Sequence, residues 1–521
     1  MRAFFSLTLV SVLTLSARSA PAQDAHHEHA PGAHAGERLG VVSFPNSGAR
    51  AAQQPFLRGL ALLHNFEYDD ARAAFRAAER ADAGFAMAYW GEALTFAQLL
   101  WELDYADSAR AALAKLGPTK EARLARARSA RERRYGAAIE SLFEPSDLPT
   151  RVKGYVAGLR TLTKAYPNDL EARALLAVSL LLDESGTPAE QQGRTEESIR
   201  LAQSVFAAQP NHPGGAHYLI HAADDPRYAP RALAAARAYA RIAPDAEHEL
   251  HMPSHIFVQV GAWDDVVKSN ERSWAASRAW VKSHGVAPTE LGFHTLWWLQ
   301  YGYLQQGRFV AALALVDTAR AVLAGIDWAT SDAIDARYAE EQLRFSYARE
   351  SGDWSVYGGR TPALAPRNTR DSSDRTRSFE NGDRARVAVV AAILGDTARA
   401  REVVELLPER AIIPRAQVAA LIARARGDTA SWIAALRSAA SADSVVVHFG
   451  PPNLTPSYEL LGDALLAVGR PKEAMAAYRQ SLVLMPNRSN ALLGLARARR
   501  AAGDSTAASR TAARVTAGPG S

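Results

Sequence analysis

Two short segments of the chain concentrate side chains that bind metals: His217-Tyr218-Leu219-Ile220-His221 and His248-Glu249-Leu250-His251-Met252-Pro253-Ser254-His255. His217 and His221 are four residues apart, and so are His251 and His255. On a helix that spacing puts both imidazoles on one face, with Cβ atoms about 5–6 Å apart. The second pair lies 34 residues after the first. Neutral imidazoles suit Zn, Cu, Ni or Fe, and a carboxylate such as Asp225, four residues after His221, completes such a set. His248 is a further candidate ligand. Each ring would need an outer hydrogen bond to orient it. The competing reading is that these histidines are polar packing residues, repeated because one ancestral unit was duplicated. The zinc-protease pattern H-E-x-x-H is absent, because His251 follows Glu249 one residue too early.

The rest of the composition narrows the chemistry. The chain has no cysteine, which removes disulfides, cysteine zinc fingers, iron–sulfur clusters and thiol nucleophiles. P-loop, dinucleotide-binding and nucleophile-elbow motifs are also missing, so no positive sign of an enzymatic reaction is present and no catalytic residue is assigned. The formal charge is +5 over 521 residues, giving no support for nucleic-acid binding. Residues 120–134, KEARLARARSARERR, are locally basic. They read either as a surface for an anionic partner or membrane, or as a solvated helix face. Aromatic residues cluster at Tyr89, Trp90 and Trp101 and again at Trp297, Trp298, Tyr301 and Tyr303.

The N-terminus reads as a cleaved secretory signal over residues 1–22. Arg2 precedes the apolar stretch from Phe4 to Ser16, and Ala20-Pro21-Ala22 fits a small-x-small cleavage site. The expected location is periplasmic or secreted, with no transmembrane span in the mature chain. A His-rich extension follows, with His26, His27, His29 and His34, expected to be disordered over 23–50. It reads either as a loose metal-recruiting tail or as a plain one.

The elements that must position the histidine pairs are helical. From about residue 50 apolar residues recur at i, i+3, i+4 and i+7, with no convincing strand. A period of 34 runs through the pattern. Counting Thr455 as position 1, Gly462 falls at 8, Gly469 at 15, Ala474 at 20, Tyr478 at 24, Ser481 at 27 and Pro486 at 32. This resembles the tetratricopeptide repeat (TPR), a helix–turn–helix unit. Gly59, Ala71, Phe75 and Ala78 keep the same phase in a unit near Ala52, and Gly261, Gly307, Gly395 and Gly427 mark position 15 elsewhere. The expected fold is an all-α TPR solenoid. An N-terminal array covers 51–354, a flexible linker 355–382 and a C-terminal array 383–521, with insertions at 183–196 and 281–292.

The TPR resemblance implies that positions 2, 5, 9, 12 and 13 of each first helix face a concave groove. His217 and His221, like His251 and His255, hold positions 5 and 9, His248 holds position 2, and Asp225 holds position 13. Stacked helices about 8–10 Å apart would set the four rings in a rough rectangle. Trp297 and Tyr301, at positions 5 and 9 of a unit near 293, read as core or as a peptide-binding wall, with His294 close by. The stretches LHNFEY (63–68), FAMAYWGEA (85–93), HYLIHAADDP (217–226) and HMPSHIF (251–257) also resemble a bacterial group of TPR proteins, some exported. That resemblance implies an interaction role and supplies no reaction. The leading expectation is therefore an exported scaffold that binds a protein or peptide in its groove. The alternative is a transition-metal protein, or metalloenzyme, built on the histidine cluster.

Overall fold

A computed structural model describes residues 38–517, apart from 99, 101, 102, 245, 246, 329, 330, 332, 368–373, 447 and 448. The signal segment, the four tract histidines and Trp101 lie outside the described residues. The fold is an all-α solenoid of stacked antiparallel helix pairs. Arg50–His64 pairs with Tyr68–Ala81, Pro213–Ala222 with Leu233–Ile242, and Ser457–Ala467 with Pro471–Leu484. One short hairpin of strands, Ala97–Gln98 with Leu103–Asp104, interrupts the helices. Among the described residues no helix is long and apolar enough to cross a membrane.

The repeat period works through close contacts of small and aromatic residues. A Cβ on Gly59 would sit 3.0 Å from the Phe75 ring, and one on Gly91 only 2.3 Å from it. Gly462 and Gly494 hold Tyr478 between them in the same way. The ring of one second helix thus presses on the backbones of two first helices, and only glycine leaves the room. The turns follow the same logic. Gly261, Gly307, Gly395, Gly427 and Gly469 all have φ between 68° and 87°, the left-handed region in which a helix readily ends on glycine.

Three segments depart from the expected boundaries. Residues 38–49 are extended but packed, although they were expected within a disordered extension. Phe44 is buried between Phe56, Trp90 and Tyr135, and the Val41 N–H donates 2.8 Å to the Asn211 carbonyl. In the 355–382 stretch, residues 374–382 are already helical, as the start of Asp374–Ile393, and the Ala365 N–H donates 2.9 Å to Asp383. The 281–292 insertion is absorbed by the long helix Trp263–His284 and a turn at Pro288–Glu290.

The array closes on itself. Arg488 is fully buried, with its guanidinium 2.7 Å from Glu459, 2.9 Å from Glu350 and 3.2 Å from the Tyr301 hydroxyl. Ser489 donates both its N–H and its hydroxyl to Gln305, at 2.8 and 2.6 Å. The Trp263 indole N–H donates 3.2 Å to the Asn487 carbonyl. At the other end the first pair touches the fifth, through Arg50–His64 against Pro213–Ala222. The repeats that carry the histidines are therefore held from both directions.

Candidate metal centre

Six histidines gather into two triads. His217, His221 and His248 form one, and His251, His255 and His294 the other. Within each, one ring nitrogen per residue lies within 4.8 Å of the other two. The composition follows the repeat. Each triad takes positions 5 and 9 from one unit and position 2 from the next, although in the second unit the helix breaks between His251 and Pro253. The four rings expected as one rectangle are thus split between two sites, each completed by a histidine from the following unit. The two sites adjoin, with the His221 and His255 ring centroids 6.5 Å apart.

In the first triad the His217 Nε2 lies 3.1 Å from both His221 Nε2 and His248 Nε2. Its Nδ1 is 2.7 Å from the His64 backbone carbonyl. A carbonyl only accepts, so Nδ1 carries the proton and Nε2 is left with its lone pair. In the second triad His251 Nε2 and His255 Nε2 are 3.2 Å apart. His251 Nδ1 is 2.7 Å from Asn270 Oδ1, and the Asn270 amide N–H is committed to the Val266 carbonyl. His255 Nδ1 is 2.7 Å from the Asp224 carboxylate, which also accepts from Gln259. Both Nδ1 atoms are thus turned to outer acceptors, and the two Nε2 atoms face each other.

That facing pair matches a metal site. Two nitrogens each about 2.0–2.1 Å from one ion, at angles of roughly 90–109°, lie about 2.8–3.4 Å apart. An Nδ1–H donated to a carboxylate, amide or carbonyl oxygen is the usual support behind a metal-bound histidine. Five of the six rings are also held neutral. Burial pushes the pKa of His217, His248 and His251 well below the imidazole range and His221 down to about 3, and neighbouring imidazoles add to the effect. His294 is the exposed member, yet the surrounding protein also lowers its pKa to about 3.

Each triad is capped by one aromatic ring. Phe66 lies 4.4 Å from His217, 5.5 Å from His221 and 5.8 Å from His248, centroid to centroid. Its φ of 63° is left-handed for a bulky residue and marks a held conformation. Trp298 lies 4.3 Å from His255, 5.0 Å from His251 and 5.6 Å from His294.

Asp225 does not join either triad. The helix ends at Ala222, so the four-residue spacing from His221 no longer sets a common face. Asp225 instead accepts 2.9 Å bonds from the Arg227 guanidinium, and its neighbour Asp224 supports His255. Trp297 donates its indole N–H 3.0 Å to Ser346, and Tyr301 is buried beside Arg488 and Trp263.

A third cluster went unseen in the sequence. His64 Nε2 and His212 Nε2 lie 2.7 and 3.1 Å from the two oxygens of Glu171. His64 Nδ1 is 2.9 Å from the Tyr218 hydroxyl, and His212 Nδ1 accepts from the Gly215 N–H. Every nitrogen has a proton partner, so this cluster is a buried brace. It fixes the turn whose carbonyl holds His217. Buried histidines after apolar runs, such as His64 after Leu60-Ala61-Leu62-Leu63, were the available signal.

Residues 455–487 match the tetratricopeptide repeat family. No curated protein matches the chain. Among solved structures, yeast Tom70 is 11% identical, over 87% of this chain and 96% of that one, with a TM-score of 0.33. The human IFIT1 dimer with m7Gppp-AAAA is 12% identical over 87% and 94%, with a TM-score of 0.33. The TPR domain of P58(IPK) is 12% identical over 87% and 99%, with a TM-score of 0.19. The chain is an α-solenoid with a tetratricopeptide repeat at 455–487 and two adjoining histidine triads.

Proposed function

We propose that this protein binds transition-metal ions in two adjoining three-histidine sites. The observation that carries the reading is the pair of facing Nε2 atoms of His251 and His255, 3.2 Å apart with both Nδ1 atoms turned to outer acceptors. One metal ion can take both nitrogens as ligands at that separation. The outer hydrogen bonds, the neutral state of the buried rings and the repetition of the arrangement in the first triad support the same reading. The solenoid then serves as the frame that brings position 2 of one unit against positions 5 and 9 of the unit before it.

Elemental analysis of the untagged protein tests this. The expected content after metal loading is two equivalents, falling to about one in His255→Asn and in His221→Asn. Metal-free protein whose melting temperature is unchanged by Zn or Cu would refute it.

A protein partner is supported by a separate surface. Val445, Val446 and Phe449 are exposed apolar residues on one loop, and solenoids offer extended faces of this kind. Replacing Val445 and Phe449 by Ser should lower recovery of any protein that co-purifies with the chain. Unchanged recovery removes this reading.

A further inference from the structure

Resting on the metal-site reading, we infer that the two triads hold a pair of Cu(I) ions that together take up dioxygen. Three observations lead there. First, all six ligands are imidazoles, with no thiolate available and no carboxylate within either triad. Three neutral nitrogens make a three-coordinate site, which Cu(I) accepts and which leaves a face open for a further ligand. Zn(II) in such a set takes a fourth ligand, usually water.

Second, the charge balance favours monovalent ions. Two divalent ions would bring four positive charges among buried neutral rings. Asp224, behind His255, compensates one of them. Arg375, on the His294 side, is already paired with Asp335 at 2.9 Å and offers no negative charge to the site. Uncompensated charge in a poorly solvated site is strongly unfavourable, so two Cu(I) ions fit better than two divalent ones. A divalent pair becomes acceptable once a dianion lies between the ions.

Third, the triads adjoin, with the His221 and His255 rings from opposite sites 6.5 Å apart, and His294 is exposed to solvent. A diatomic ligand can therefore meet both ions at once.

The reaction balances without any other reagent. Each Cu(I) gives one electron to dioxygen. The products are two Cu(II) ions and one peroxide dianion bound between them. The O–O bond order falls from two to one, copper–oxygen bonds form, and no proton is taken up. The dianion supplies the negative charge that two divalent ions require. Phe66 and Trp298, stacked against the two triads, keep the rings from turning as the ions change charge.

The test uses the full chain, loaded anaerobically from a chelator-buffered Cu(I) solution and, in parallel, with Zn(II). Two bound Cu(I), uptake of one dioxygen per pair, a new intense near-ultraviolet band and no Cu(II) paramagnetic signal are expected. His294→Asn, at the exposed edge where folding is least at stake, should bind about one copper and take up no dioxygen. Two bound Cu(I) with no dioxygen uptake, or isolated paramagnetic Cu(II) after exposure to air, would overturn the inference and leave the metal sites standing. Two Zn(II) with no Cu(I) would do the same. Failure to bind either ion would remove both readings.

Discussion

His217 donates its Nδ1–H 2.7 Å to the backbone carbonyl of His64, 153 residues earlier in the chain. The first helix pair thereby sets the ring orientation of a ligand in the fifth. The carbonyl is itself fixed because the His64 side chain is locked to Glu171 and Tyr218. Glu171 is held ionised: burial opposes the charge, but His64 and His212 outweigh it and keep its pKa well below the usual carboxylate range. Glu171→Gln should therefore act at a distance. An amide presents one N–H₂ toward an imidazole N–H, so one buried bond becomes a clash, and stability should drop by about 1–3 kcal/mol. The first triad should lose roughly 10- to 100-fold in metal affinity while the second keeps its own. Calorimetric unfolding and a metal titration resolving the two sites would check both. Equal losses at the two triads would show general unfolding instead.

The two aspartates after His221 provide a sharper comparison. Asp224 accepts the His255 Nδ1–H at 2.7 Å, whereas Asp225 pairs with exposed Arg227. Asp224→Asn should weaken the second site by about 10- to 100-fold. Asp225→Asn should leave both sites intact and change stability by less than about 1 kcal/mol. A reversed outcome in a competitive metal titration would transfer the supporting role to Asp225.

These two residues also show how far the sequence could be read. The 34-residue period placed His217, His221, His251 and His255 on equivalent positions because the period is a local property of helix pairs. The grouping into triads depends on how one unit rotates against the next, which put His248 with His217 and His294 with His251 across the insertion at 281–292. The choice of Asp224 depends on where a helix ends. The His64–Glu171–His212 brace and the capping rings Phe66 and Trp298 depend on contacts between distant units, which follow from the curvature of the whole array. Trp297 and Tyr301, candidates for a groove wall, lie under or against returning segments for the same reason.

The buried imidazoles predict an acid-sensitive fold. The His217 and His251 pKa values lie well below the unfolded value near 6.5, chiefly through burial. As pH falls through about 6.5 the unfolded chain takes up protons that the folded chain refuses. Stability is therefore complete above that pH and declines below it, by at most about 1.4 kcal/mol per pH unit for each such histidine. The metal-free protein should melt at a lower temperature at pH 5 than at pH 7.5. Bound metal should widen the difference between loaded and metal-free protein at neutral pH, because protons compete for the same lone pairs in acid. His251→Asn should flatten the pH dependence of the metal-free protein. A melting temperature independent of pH across that range would contradict the buried neutral assignment.

Closure of the array predicts a coupling between a buried ion network and the second triad. Arg488 and Arg349 together balance Glu350 and Glu459, and the Arg488 guanidinium also meets the Tyr301 hydroxyl. Tyr301 lies on the helix Phe293–Gln305, which carries His294 and Trp298. Arg488→Gln would leave buried Glu459 without its cation while Glu350 keeps Arg349, a change of the kind that destabilises by about 3–5 kcal/mol. Gly450→Ala strikes the same region without touching a charge. At φ 74° its Cβ would fall 2.1 Å from the Trp298 ring, so the indole must move off His255. Both variants should loosen the second triad and spare the first, because the first is braced from the N-terminal side through His64. Site-resolved metal titration alongside thermal unfolding measures this directly. If Gly450→Ala lowered the melting temperature yet left both affinities unchanged, Trp298 would be packing against the triad without holding its rings.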